Sequence, residues 1–316
     1  MRVAAVVVTH NRPELLLQAL AALHLQTRPL DAIYVVDNAS DAASAARLGR
    51  PAGVTVLRSD LNLGGAGGFA LGMARAFEAG HDWIWLLDDD ALARPDALAR
   101  LLEALDDPAQ DAAALCGTVR EFGDIALRHR RRYHLPTGLE RPLPRRAYAG
   151  PPCRTGTASF VGLLISAAAV AQVGLPEAAL FLSYDDTEYS LRLARAGLAI
   201  WLAPASVVEH LRERHGRLRA GPFGRKHYFT IRNRIAVARA YASLPGLAPG
   251  VALGFALALW LASGGALQRG ALRILLRAIR DGWRGRLGPF PDELAQLQQR
   301  PHCRRPRRTP RPGVLR

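Results

Sequence analysis

The chain has 316 residues, 49% of them apolar, enough for one large α/β domain with an appendage or for two modest domains. Three cysteines (Cys116, Cys153 and Cys303) lie far apart with no CxxC pair, which argues against a disulfide framework or a cysteine-zinc site and fits a reducing compartment. The formal charge is +15 and rests almost wholly on arginine, Lys226 being the only lysine; the arginines crowd into 128–146, 212–239, 269–286 and the tail, which suits an anionic lipid surface or a phosphorylated substrate as well as a plain compositional bias.

The first half alternates between strand and helix patterns. "VAAVVV" (3–8) is a short run rich in β-branched residues and reads as a buried strand; it is too short for a secretory signal and stops at a turn. Pro13 and Glu14 open a helix carrying Leu16, Leu20 and Leu23. "AIYVVD" (32–37) and "VTVLR" (54–58) are the next strands, and "NLGGAGGFALGMARAFEAG" (62–80) is a glycine-rich turn feeding a helix. "WIWLL" (83–87) is a fourth strand, 95–105 a helix, and "AALCGTV" (113–119) a further strand. This order predicts an α/β fold, Rossmann-like, with a mostly parallel central sheet and helices on both faces.

Residues 120–150, rich in Arg, Pro and Gly, read as a long irregular excursion. Strand character returns at 156–166, then helices near 167–173 and over 185–197, then a strand at 198–203. From 250 to 267 no residue is charged over 18 positions, at the lower edge of the roughly 17–25 residues of a membrane span. The helix pattern at 271–283 puts Leu272, Leu276, Ile279 and Trp283 on one face, with Arg273, Arg277, Arg280 and Arg284 beside it. That pattern suits a helix lying in a bilayer interface; the alternative is two ordinary helices closing a core. The Arg- and Pro-rich tail, 300–316, reads as disordered. The division expected is 1–240 as the catalytic domain, 241–299 as an apolar and amphipathic helical region, and 300–316 as the tail.

In an open α/β sheet, ligands bind beyond the carboxyl ends of the strands. Thr9, Asp37 and the run Asp88, Asp89, Asp90 all fall there. Adjacent carboxylates need a counter-charge, and Mg²⁺ or Mn²⁺ shared with a substrate diphosphate supplies one. The other reading is a solvated turn that caps the following helix. A second acidic group, Asp185, Asp186 and Glu188, opens a helix and holds more carboxylate than capping needs, which makes it a candidate general base. His210 follows the next strand and could complete a metal shell.

The segments "VVVTHNRPELL", "VVDNAS", "NLGGAGGF", "WLLDDDA", "GLLIS", "YDDTEYSLRLARAG" and "VVEH", in this order, resemble family 2 glycosyltransferases of the GT-A fold, closest to bacterial galactofuranosyl- and rhamnosyltransferase-like proteins. "HYFTIRNRI" (227–235) and "DGWRGRLG" (281–288) look like C-terminal features of the same enzymes. The resemblance implies that Thr9 and Asp37 hold the base and ribose of a UDP- or dTDP-sugar, with Arg12, Asn62, Gly64 and Gly65 in the donor pocket. It implies Asp88 and Asp90 as ligands of Mn²⁺ or Mg²⁺ together with His210, and Asp89 facing donor sugar or ribose. Asp186 then matches the catalytic base of an inverting transfer, with Asp185 touching the acceptor. The chain is shorter than polymerising members of that family, so addition of one or a few sugars is expected. A lipid-linked, polyprenyl-carried acceptor at the inner face of the cell membrane suits the basic, apolar C-terminal region.

Two other enzyme readings use the glycine-rich loop differently: a nicotinamide-dependent oxidoreductase and a nucleotidyltransferase. The first leaves both acidic groups without a task, and the "NLGGAGG" spacing is not GxGxxG. No nucleic-acid-binding motif accompanies the arginines, so a nucleic-acid partner is not expected.

Overall fold

The computed structural model describes residues 1–49, 51–106, 109, 111–211 and 222–291. The expected tail at 300–316, Cys303, residues 292–299 and part of the arginine-rich stretch 212–239 lie outside the described residues.

The first half forms β1 (Val3–Thr9), α1 (Pro13–His24), β2 (Ala32–Asn38), α2 (Ala42–Leu48), β3 (Val54–Ser59), α3 (Gly64–Glu78) and β4 (Trp83–Asp88). β5 (Ala91–Ala93), α4 (Ala97–Glu103), β6 (Ala112–Glu121) and β7 (Asp124–Ile125) follow. Strands β3, β2, β1 and β4 pair in parallel in that order, so the carboxyl ends of β1, β2 and β4 lie side by side. Alternation along β1 divides the core: Val3, Ala5 and Val7 pack with Leu16, Leu20 and Leu23 of α1 and with Leu98 of α4. Ala4 and Val6 pack with Phe69 and Met73 of α3 on the opposite face. Helices therefore cover both faces of the sheet, which is why its strands read as continuous apolar runs.

The glycines of α3 serve this packing. A Cβ on Gly68 would sit 2.6 Å from Val8 Cγ1, and one on Gly72 would sit 2.3 Å from Val6 Cγ1. The helix thus lies closer to β1 than any larger residue allows.

The excursion at 120–150 is ordered, in contrast to the irregular segment expected from its composition. β8 (Arg130–His134) and β9 (Leu139–Pro142) form a hairpin, followed by β10 (Cys153–Thr155), β11 (Thr157–Ala158) and β12 (Leu163–Ser166). β11, β8 and β9 make a separate three-stranded sheet. Its anchor is Arg130, fully buried, whose guanidinium donates to the carbonyls of Gly117, His129, Ser159 and Val161. The bonds to Gly117, Ser159 and Val161 reach far along the sequence and leave no local pattern to read. β12 is inserted antiparallel between β4 and β6 in the main sheet.

After α5 (Ala167–Val173) and α6 (Asp185–Arg195), the long strand β13 (Ala199–His210) pairs parallel to β6 and delivers His210 to the cleft. Three helices close the described chain: α7 (Arg225–Tyr241), α8 (Leu247–Ala262) and α9 (Ala271–Arg284). α7 is buried along most of its length, packed with α8 and α9 around Phe229, Ile231, Ile235, Ala252, Ala256 and Ile274. The uncharged run at 250–267 does not form one helix. α8 stops at Ala262, and Gly264 turns the chain at φ 68°. Among the described residues no helix is long and apolar enough to cross a membrane. α8 lays Ala248, Ala252, Ala256 and Leu259 on the core, while Leu257 and Leu261 face outward.

Candidate active site

The register of the parallel strands assembles the site. Thr9 lies opposite Asp37 across β1 and β2, and Val8 lies opposite Asp88 across β1 and β4. Beyond these ends opens a pocket of 510 Å³. Thr9, Arg12, Asn62, Gly64, Gly65, Asp88, Asp89, Asp90 and His210 all line it. His10, Asn38, Phe181, Leu182, Arg225 and Lys226 join them.

The three aspartates are held individually. Thr9 Oγ1 donates to Asp89 Oδ2 at 2.8 Å, and Arg12 Nη1 lies 2.8 Å from Asp89 Oδ1. The other Arg12 terminal nitrogen pairs with Asp90 Oδ2. Burial pushes the Asp89 carboxyl up to about 6 against the opposing pull of Arg12. Asp88 is pushed well above the usual carboxylate range by burial, then by its neighbour Asp90. Burial acts on Asp90 in the same sense, but His210 and Arg12 outweigh it and hold that carboxyl low. The cluster therefore carries more buried negative charge than Arg12 alone balances.

Ligand atoms of Asp88, Asp90 and His210 all lie within 4.8 Å of one another. His210 Nε2 is 3.1 Å from Asp90 Oδ1, and that buried oxygen has no hydrogen bond of regular geometry. Two carboxylates, one of them carrying this orphaned oxygen, and one imidazole form a donor set that fits a divalent cation such as Mn²⁺ or Mg²⁺. The other nitrogen of the ring, Nδ1, is 2.9 Å from Glu121 Oε1. The same oxygen lies 3.1 Å from His129 Nε2, and His129 Nδ1 contacts Ser159 Oγ at 2.7 Å. Ordering of His210 by a carboxylate behind it is the usual support of a ligating histidine. Neither Glu121 nor His129 was legible as part of the site, because both lie at the edges of the arginine-rich excursion.

On the donor side, Asn38 is the organising residue. Its amide donates to Gly64 O at 2.9 Å and accepts from Leu63 N at 2.8 Å, fixing the glycine loop. Asn62 Oδ1 accepts from Gly64 N at 2.8 Å. Asp37 stands one residue back from the pocket wall. It is buried, accepts from Ser40 N at 3.0 Å and faces Arg58 at 3.4 Å. Gly64 is obligatory here: its φ is +70°, and a Cβ would sit 2.0 Å from Phe181 O.

On the far side, Asp185 and Asp186 open α6 with different surroundings. Asp185 is buried beside Gly65, and burial, then the charge of Asp186, raises its carboxyl. Asp186 is more open; its Oδ2 is 3.3 Å from Arg131 and its Oδ1 accepts from Thr187 N at 2.6 Å. Arg131 also pairs with Glu140 at 2.9 Å. Neither aspartate is among the residues lining the 510 Å³ pocket.

The sheet order, the polar strand ends and the second acidic group on the facing helix describe the GT-A class of glycosyltransferases. The chain belongs to glycosyl transferase family 2, whose sequence model matches residues 4–162. It is 39% identical to galactofuranosyltransferase GlfT1 of Mycobacterium tuberculosis, with 73% of this chain and 80% of that protein covered. Among solved structures it is similar to GalNAc-T7 with UDP, GalNAc and Mn²⁺ (TM-score 0.57, 15% identity, 76% of this chain and 48% of that one). It is also similar to the mannosyltransferase PcManGT from Pyrobaculum calidifontis in complex with GDP-Man and Mn²⁺ (TM-score 0.55, 18% identity, 90% of this chain and 87% of that one). At those identities the solved structures speak to the fold.

Proposed function

We propose that this glycosyltransferase is an inverting, metal-dependent galactofuranosyltransferase that moves the sugar of a UDP-sugar to a hydroxyl of a lipid-linked glycan. The observation that carries the reading is the meeting of Asp88, Asp90 and His210 within 4.8 Å at the carboxyl end of β4, beside the glycine loop. The 39% identity to GlfT1, a galactofuranosyltransferase, favours galactofuranose over rhamnose. When bound, the cation offsets negative charge on the diphosphate of the donor and of the leaving nucleoside diphosphate. Asp88, Asp90 and His210 hold it, while Arg12 keeps Asp89 and Asp90 fixed. Asn38 and Asn62 set the backbone of Gly64 and Gly65 against the donor, with Thr9 and Asp37 at the nucleoside end. Asp186 takes the proton from the acceptor hydroxyl as its oxygen bonds to the anomeric carbon; the bond from that carbon to the diphosphate oxygen breaks on the opposite face. Asp185 orients the acceptor.

The test is release of UDP from UDP-galactofuranose in the presence of Mn²⁺ and a polyprenyl-diphosphate-linked glycan. UDP and one lengthened glycan are expected. Pyrophosphate as the product, or release only from dTDP-rhamnose, contradicts the reading.

The site predicts a pH dependence. Burial pulls the His210 imidazolium down, but the carboxylates of Asp90 and Glu121 outweigh it and lift its affinity for a proton well above the ordinary value. A cation at that nitrogen displaces the proton, so affinity rises as pH rises, approaching about tenfold per pH unit while one proton leaves per ion. Calorimetry with Mn²⁺ between about pH 6 and pH 8 is expected to show this slope in the native chain and a flatter one in His210→Asn.

The same proposal places the enzyme at the cytoplasmic face of a membrane. Leu257 and Leu261 of α8, Leu267 in the turn that follows, and Leu272, Leu276 and Trp283 of α9 are exposed. Arg273, Arg280 and Arg284 are exposed beside them. Apolar side chains flanked by arginines match an acyl–headgroup boundary. Co-flotation with anionic vesicles is expected at low salt, and its loss in Leu272→Asn/Leu276→Asn; equal recovery of both proteins contradicts it.

A further inference from the structure

The turn that leads into α6 is strained, and a buried pair on α7 holds it. Phe181, Ser183 and Tyr184 have φ of 65°, 67° and 64°, a region that L-residues other than glycine occupy at a cost. Tyr184 is also the N-cap of α6 and gives it no side-chain cap. Asn233, fully buried, donates through Nδ2 to three carbonyls of this turn: Leu180 at 2.9 Å, Leu182 at 2.9 Å and Ser183 at 2.7 Å. Its amide faces that way because Arg232 Nε donates to Asn233 Oδ1 at 2.7 Å, which fixes which end is oxygen. Arg232 is itself fully buried and donates to Leu180 O at 2.8 Å and Gly288 O at 2.6 Å. Among the described residues no carboxylate forms an ion pair with it. Arg234 completes the set by donating to Tyr184 Oη at 2.7 Å. Packing α7 against α8 and α9 needs only apolar side chains; burying a guanidinium and an amide on main-chain carbonyls needs a further reason.

The reason lies at the two ends of the turn. Phe181 O accepts from Ala66 N at 3.2 Å and occupies the space that a Cβ on Gly64 would take, so one end seats the glycine loop. The other end is Asp185 and Asp186. We infer that Asn233, oriented by Arg232, is a positioning residue for sugar transfer: it holds the left-handed turn 181–184 in the one conformation that sets the acceptor-side carboxylates against the donor loop. This rests on the reading above that Asp186 is the base. The C-terminal helices are then part of the catalytic machinery's support and not an appendage to it. The donor loop has its own anchor in Asn38, whereas the carbonyls of the turn that enters α6 are held by Asn233 and Arg232. Loss of Asn233 therefore falls on kcat and leaves donor affinity nearly intact.

The experiment is a rescue. Asn233→Ala, with Asn233→Ser as a milder variant that keeps one donor, is expected to lose roughly 10²-fold in kcat, the scale of a misplaced catalytic group. Mn²⁺-dependent UDP binding should hold, and amide exchange at 181–186 should quicken. Ser183→Gly removes the cost of the left-handed backbone, so in the Asn233→Ala chain it should recover about fivefold or more of the lost rate. In the native chain, where the turn is already held, it should gain nothing. Unchanged exchange at 181–186, unchanged kcat, or a loss that Ser183→Gly does not recover overturns the inference. Asp186→Asn measured in parallel separates the two claims: full activity there removes the base assignment, while exchange and rescue still decide the role of Asn233.

Discussion

Asp186→Asn is expected to lower turnover by roughly 10²–10⁴-fold, the usual contribution of a positioned general base. The fold should survive, because the amide keeps the hydrogen bond from Thr187 N and because Arg131 retains Glu140 at 2.9 Å. Donor affinity should survive too, since Asp186 lies outside the pocket that holds the glycine loop and the three aspartates. Asp185→Asn is expected to cost less. Burial already favours the protonated form of that carboxyl, and an amide mimics a protonated acid in shape and charge. Steady-state rates for the two variants, beside calorimetric UDP binding, check the pair; a larger loss in Asp185→Asn would exchange their roles.

The second large effect is on the cation. Asp88→Asn and Asp90→Asn each remove one of two carboxylates from the set with His210, and each should weaken Mn²⁺ binding by more than about 10²-fold, beyond what loss of an outer support costs. The two differ in the metal-free chain. Asp88 has its affinity for a proton raised by burial, so the folded state keeps a proton that the unfolded chain has released as pH rises from the ordinary carboxylate range. Stability from this group therefore falls with rising pH over that window, and Asp88→Asn removes the fall. Asp90 is held low by His210 and Arg12, so its contribution is present above the ordinary carboxylate range and Asp90→Asn gives it up. Thermal unfolding near neutral pH should show Asp88→Asn no less stable than the native chain, Asp90→Asn less stable, and neither raised by Mn²⁺.

The sequence made the donor half of the site readable, because parallel strands reveal themselves as apolar runs and the residue that ends each run marks the cleft. Thr9, Asp37 and Asp88 follow from that rule, and the glycine loop from the family resemblance. His210 was placed by the end of a strand, although β13 runs seven residues further than its apolar start at 198–203 suggests. What remained hidden depends on long-range hydrogen bonds. Arg130 and Arg131 looked like surface charge in a basic stretch, yet one is the buried anchor of the small sheet and the other faces Asp186. Asn38 carries a weaker sequence signal than its acidic neighbour Asp37, yet it is the amide that fixes the glycine loop. Residues 250–267 show a limit of hydropathy: absence of charge is common to a membrane span and to a helix packing an alanine face, and only the break at Gly264 separates them.

The central claim is that the acidic cluster at the end of β4 grips a cation that in turn grips the donor's diphosphate. Calorimetric titration of UDP into the protein with and without Mn²⁺ tests it most directly. The account predicts tight UDP uptake with Mn²⁺, weak uptake without it, and loss of the difference in Asp88→Asn; equal UDP affinity in the presence and absence of Mn²⁺ and Mg²⁺ would contradict it.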